Sequence, residues 1–194
     1  MSVDCSAYIL AGGQSRRFGS DKARAVAHGR PMIVHVAELV RPIVPTIKVV
    51  AATADAYADL GLRTIADRIP GRGPLSGLHA ALLDSPADWV LLLPCDAVGL
   101  RPAWLRGLLE ARGAEIDAVA FRHAYWEPLI AAYRVTALAE VAGRLDRGDL
   151  AMQRLLDSIH ARALPRPLDW AGVQANTREE LSAFARGAIS STPA

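Results

Sequence analysis

At 194 residues the chain fits one domain of the usual roughly 100 to 200 residues, which excludes solenoids and multidomain arrays. Apolar residues make up 52% and charged residues 22%, which supports a packed core and excludes a disordered chain. Lys and Arg number 22 against 20 Asp and Glu; the formal net charge of +2 offers no general field for nucleic acid or an anionic membrane, so any bound anion must be held locally.

In chain order, short apolar runs alternate with amphipathic stretches of helical length, the pattern of βαβ units around a mostly parallel sheet. The expected strands are 7–10, 47–51, 63–65, 89–93 and 118–121, joined later by 129–133 and a short piece at 162–164, with the all-apolar ones central. Pro31 is expected in the first turn of a helix that turns Val36, Leu39 and Val40 inward, and 75–78 leads into an Ala/Leu helix ending near Leu83. Further helices are expected at 102–111, 136–145, 150–159 and 178–186. No repeat or low-complexity linker interrupts residues 1–186, read as one domain with a regular half, 1–98, and a less regular half, 99–186; the small, polar 187–194 reads as a flexible tail.

Cys5 and Cys95 form no CxxC pair and no Cys/His cluster, which points to a reduced, cytoplasmic setting. The first four residues lack the basic region of a signal peptide, and the apolar run 7–11 falls far short of the roughly 18 residues that span a bilayer. His28, His35, His79, His123 and His160 match no metal pair or triad and read as structural or surface groups. The four tryptophans read as core or rim packing.

The strongest local signal follows the first strand: Leu10-Ala11-Gly12-Gly13-Gln14-Ser15-Arg16-Arg17-Phe18-Gly19-Ser20-Asp21-Lys22. Its glycines let consecutive N–H groups approach phosphate oxygens, and Arg16, Arg17 and Lys22 bring cations that suit a triphosphate. No Lys directly follows Gly19, so this is no Walker A loop, nor is it GxGxxG. A plain turn at Gly12-Gly13 and a solvated Arg17 are the alternatives.

A Gly/Pro-rich loop, 67–77, opens the Ala/Leu helix and belongs on the same crevice side, as a ligand loop or a stiffened helix start; Arg72 leans to surface. The run Trp89-Val90-Leu91-Leu92-Leu93-Pro94-Cys95-Asp96 ends in a carboxylate. At the carboxyl end of a central strand, Asp96 is placed to hold Mg²⁺ carried on substrate phosphates, with helix capping as the alternative. Cys95 reads as a small buried residue. Near the C-terminus Thr177 and Glu180 form a candidate capping box, and Asn176 either caps or faces the crevice.

The ordered set 9–13, Ser15, 17–19 and 21–23, then Gly73-Pro74-Leu75, Gly77-Leu78, Pro94-Cys95-Asp96, Pro128-Leu129, Asn176-Thr177 and Glu179-Glu180-Leu181, resembles the molybdenum cofactor guanylyltransferases within the wider nucleotidyltransferases. The resemblance implies a Rossmann-like three-layer α/β/α fold and transfer of GMP from GTP to molybdopterin, with release of pyrophosphate and formation of the guanine dinucleotide cofactor. It implies that Leu10, Ala11, Gly12 and Gly13 contact GTP, that Lys22 meets the phosphates, that Asp67 meets the nucleotide, and that Asp96 holds Mg²⁺. Asn176 would border the pterin half. Lys22, Arg16 and the ion on Asp96 would supply the charge stabilisation. Gly13 favours guanine, since similar cytidylyltransferases tend to carry Ala there. Handover of product to a molybdoenzyme apoprotein or its chaperone follows from the same resemblance.

The chain departs from the family pattern at Phe18, often Met; at Ala51-Ala52-Thr53, where Thr53 stands in for an Asn-containing stretch that helps bind nucleotide; at Arg178, where Pro is usual; and after Gly148, where a basic residue is missing. An acceptor phosphate monoester is already largely ionised near neutral pH, so attack needs no general base, which accords with the lack of a triad histidine. The rival readings are a sister enzyme using CTP or another phosphorylated acceptor, and a GTP or cofactor carrier without turnover.

Overall fold

The computed structural model describes residues 4–12, 21–170 and 173–186. Gly13, Arg16 and the tail 187–194 lie outside the described residues, as do Arg17, Phe18 and Gly19.

The chain opens with strand β1 (Cys5–Leu10), and a small antiparallel hairpin of β2 (Val26–Ala27) and β3 (Arg30–Pro31) precedes helix α1 (Met32–Val40). Next come β4 (Thr46–Ala51), β5 (Thr64–Ala66), α2 (Gly73–Asp84), β6 (Trp89–Pro94) and α3 (Pro102–Glu110). The later half adds β7 (Ala118–Arg122), β8 (Trp126–Arg134), α4 (Leu138–Arg147), α5 (Met152–Ser158), β9 (Ala161–Pro165) and α6 (Arg178–Ala185). Seven strands form one sheet in the order β5-β4-β1-β6-β8-β7-β9. Within it β8 alone runs against the others.

Two adjustments to the expected elements have local causes. Pro31 closes the hairpin opposite Val26 and stands just before α1 rather than in its first turn; with its fixed φ and no N–H it suits that boundary. The helix expected from Thr136 begins as a 3-10 turn, Val135–Ala137, and becomes α-helical at Leu138.

The core explains why the central strand β6 is continuously apolar. Successive side chains on a strand face opposite sides. Along β6, Leu91 and Leu93 join a cluster with Met32, Ile33, Leu105 and Leu108 of α1 and α3. Val90 and Leu92 join the opposite cluster with Leu75, Leu78, Val141 and Leu155 of α2, α4 and α5. Both faces of the sheet are therefore covered, giving three α/β/α layers. The tryptophans are mostly packing groups: Trp89 and Trp126 are buried, Trp104 stacks on Trp170 with ring centroids 5.4 Å apart, and the Trp126 indole donates to Asp157 at 2.8 Å. His28 and His35 contact the carbonyls of Phe184 and Ala27 through Nε2, at 3.2 and 2.6 Å, and so tie the hairpin to α6 and to α1.

One polar cluster under α2 sets a pH dependence. The buried Tyr8 hydroxyl donates to Asp84 Oδ2 at 2.6 Å, and Lys48 Nζ donates to the same oxygen at 2.7 Å. Burial alone would raise the Asp84 carboxyl, but the Lys48 and Tyr8 hydrogen bonds outweigh it and hold the group below its usual value. A carboxyl lowered in the folded state contributes stability above its unfolded pKa and loses it as pH falls through the folded one. Asp84→Asn should therefore be less stable than wild type at neutral pH, with the gap narrowing in acid. Thermal melts across pH check this, and a gap that widens on acidification refutes it.

Candidate active site

The crevice lies at the carboxyl ends of β1, β4 and β6, where an open α/β sheet offers its loops to ligands. β1 pairs with β4 on one side and β6 on the other, and the pairing runs past its end: Ala11 N–H donates to Val50 O at 2.9 Å, and Cys95 N–H to Leu10 O at 3.1 Å. Leu10 and Ala11 are thus held between the ends of β4 and β6, and Gly12 follows them. A Cβ on Gly12 would meet no atom of the described residues within 4 Å, so packing against the described residues does not demand glycine there. Thr53 is exposed in the bend after β4.

Lys22 begins a three-residue 3-10 turn, Lys22–Arg24, capped by Asp21, whose Oδ1 accepts from Ala23 N–H at 3.0 Å. The Lys22 ammonium forms a close ion pair with Asp96 Oδ2 and donates to Asn176 Oδ1 at 3.1 Å. Three residues read separately from the sequence therefore meet at one point. Asp96 sits two residues beyond β6, and its backbone carbonyl accepts from Ala175 N–H at 3.0 Å, while Gly99 N–H donates to Val173 O at 3.0 Å. These two bonds bring the 173–176 segment across to the site.

The Asp96 carboxylate does not act as a helix cap. One oxygen engages Lys22, while Oδ1 is buried without a hydrogen-bond partner among the described residues. A buried acceptor left unsatisfied costs about 1–3 kcal/mol, more when charged, so this oxygen is set to receive a cation or donor. No group of three or more His, Cys, Asp or Glu is gathered among the described residues. The donor set fits Mg²⁺ all the same, because that ion commonly takes one or two protein carboxylates and completes its shell with substrate phosphates and water. Burial, then the Asp96 charge, pushes the neighbouring Cys95 thiol up to about 12, which leaves it protonated and unreactive at neutral pH.

Asp67 is a brace for the second loop. Its N–H donates to Ala51 O at 2.7 Å, its Oδ1 accepts from Ile69 N–H at 3.0 Å, and its Oδ2 accepts from the Ser76 hydroxyl at 2.7 Å. The loop thereby joins the end of β4 to the first turn of α2. Gly73 opens that helix at φ +68°, a conformation that favours glycine. Gly77 lets α2 approach β1, since a Cβ there would come within 2.7 Å of a Leu10 methyl.

At α6, Thr177 and Glu180 form the reciprocal capping box, which leaves Asn176 to meet Lys22. Capping and crevice contact are divided between neighbours. Sequence reasoning missed Ser76, Tyr57 and Arg24. Ser76 was inside a recognised motif, whereas Tyr57 lies in an irregular segment with no periodicity to single it out.

Residues 7–163 match the MobA-like NTP transferase domain. The chain is 32% identical to the molybdenum cofactor guanylyltransferase of Vibrio cholerae over 81% of this chain and 79% of that one. It is also 32% identical to the molybdenum cofactor guanylyltransferase of Pseudomonas fluorescens, over 84% of each chain. The crystal structure of molybdopterin-guanine dinucleotide biosynthesis protein A from Archaeoglobus fulgidus superposes with a TM-score of 0.79 at 25% identity, over 93% of this chain and 97% of that one. With its sheet order, its Gly-rich loop after β1 and its Lys22–Asp96 pair, the chain belongs to the MobA-like NTP transferase family and is a nucleotidyltransferase.

Proposed function

We propose that this crevice transfers GMP from GTP to molybdopterin, releasing pyrophosphate and forming the guanine dinucleotide form of the cofactor. The observation that carries the reading is the convergence of Lys22, Asp96 and Asn176 beside the Leu10–Gly12 strand end. The names of the relatives point to the same reaction.

In this reading Leu10, Ala11, Gly12 and Gly13 offer backbone to GTP, with Thr53 at the rim and Asp67 fixing the 67–77 loop against it. Residues 1–98 bind the nucleotide and 99–186 the acceptor, whose pterin side Asn176 borders. Lys22 stabilises charge developing on the transferred phosphate, and Arg16 adds a guanidinium from the first loop. Asp96 would hold Mg²⁺, which when bound supplies charge neutralisation on the phosphates. Asn176 orients Lys22 by accepting a hydrogen bond from its ammonium. The acceptor phosphate arrives ionised, so no residue needs to remove a proton, and the work of the protein is in-line positioning. We place the reaction in the cytoplasm, with handover to a molybdoenzyme apoprotein or its chaperone.

The direct test is pyrophosphate release by purified protein with Mg²⁺, comparing GTP, CTP and ATP with and without molybdopterin. Release that requires molybdopterin and prefers GTP is expected. A preference for CTP assigns the chain to the cytidylyl branch, and GTP binding without release refutes turnover in favour of carriage.

A further inference from the structure

Lys22 owes its place to a set of bonds outside the three residues of the site. A three-residue 3-10 turn has little stability of its own, so the position of Lys22–Arg24 must come from tertiary contacts. Ala23 is buried in the core beside α1, and the polar contacts of Asp21 and Arg24 at the two ends of the turn come from the segment after β4. Tyr57 is buried there, 4% exposed, although its segment is irregular and Asp55 nearby adopts φ 65°. The Tyr57 hydroxyl donates to the Asp21 carboxylate, 3.0 Å from Oδ2 and 3.2 Å from Oδ1. Asp21 in turn accepts from Ala23 N–H inside the turn.

The other end of the turn is gripped as well. Arg24 forks onto Asp59 at 2.7 and 2.8 Å, donates to Ala56 O at 2.7 Å, and lies with its guanidinium carbon 5.1 Å from the centre of the Tyr57 ring. Burial first, and the Asp21 charge second, push the Tyr57 hydroxyl above its usual pKa, so it stays a donor throughout the neutral range. The Lys22 side chain has rotamer freedom of its own, and its ammonium reaches Asp96 and Asn176 together only if the turn beneath it is fixed.

We propose that Tyr57 is a positioning residue for Lys22, acting through Asp21, so that the segment after β4 sets the cation's reach as well as bordering the nucleotide. The catalytic side of this inference rests on the nucleotidyl transfer proposed above; the geometric side does not.

Tyr57→Phe keeps the ring and its packing but removes the hydroxyl. With GTP, Mg²⁺ and molybdopterin it should lower kcat roughly tenfold, the loss expected for one hydrogen bond to a charged group, with a smaller change in the KM for GTP. Without nucleotide, the labelling rate of Lys22 by an amine-reactive reagent, read by peptide mass spectrometry, should rise several-fold relative to Lys48. Asp21→Ala should do the same, and Asp21→Asn, which keeps an acceptor for Ala23 N–H and the Tyr57 hydroxyl, should restore most of both properties. Unchanged Lys22 labelling in Tyr57→Phe and Asp21→Ala overturns the inference, even if turnover falls, because a general packing role would not move Lys22 selectively. If wild-type protein fails to turn over, the proposed function fails, and the labelling comparison still decides the positioning role.

Discussion

Asp96→Ala is expected to lower Mg²⁺-dependent turnover by on the order of 100- to 1,000-fold, the cost typical of losing one preorganised electrostatic group. GTP affinity should fall much less, since Leu10 and Ala11 are held by β4 and β6 rather than by the Asp96 side chain. The same substitution removes the orphaned Oδ1 from the interior. Against that gain stands the Lys22 ammonium, left without its counterion but still bonded to Asn176, so the variant should melt modestly below wild type, by about 4 °C or less. Steady-state kinetics, nucleotide binding and a thermal melt on one preparation check all three statements. Wild-type turnover with Mg²⁺ in this variant would overturn the metal role.

Lys22→Ala should cost turnover on the order of 100-fold through lost charge stabilisation. Its effect on folding should be larger than that of Asp96→Ala, because the buried Asp96 oxygens stay in place. Lys22 and Asp96 are both largely buried, with side chains 16% and 11% exposed, so removing the lysine leaves a buried carboxylate without its counterion. Lys22→Ala should therefore be clearly destabilised, and adding Asp96→Leu to it should recover stability while turnover stays lost. Denaturant unfolding of the two single variants and the double measures this coupling. Additive effects across the cycle would mean that the ion pair is weak in solution.

The sequence made some features legible because one local rule decides them. β6 is continuously apolar, and β1 nearly so, because both of their faces meet helices, and that places them at the centre of the sheet without reference to any contact. Asp96 stood out because a carboxylate ending such a run has few structural uses. The β2–β3 hairpin was illegible: two-residue strands carry no period, and its turn at His28 and Gly29, with φ 48° and 73°, lacks the usual Asn-Gly or Asp-Gly signal. The bonds from Tyr57 to Asp21 and from Asn176 to Lys22 join positions 36 and 154 residues apart, and no local pattern encodes such pairings. Asn176 and Thr177 show a different limit, since two roles offered as alternatives for one short segment are both filled, by different residues.

The strap formed by residues 173–176 has a consequence for how the protein is made. The last strand of the sheet ends at Pro165, yet Asp96 and Gly99 wait for Ala175 and Val173, and Lys22 waits for Asn176. A nascent chain can thus close its sheet during synthesis while its chemical centre is still incomplete. Competence arrives only once residues 173–176 have left the ribosome and Asn176 has closed onto a lysine 154 residues earlier.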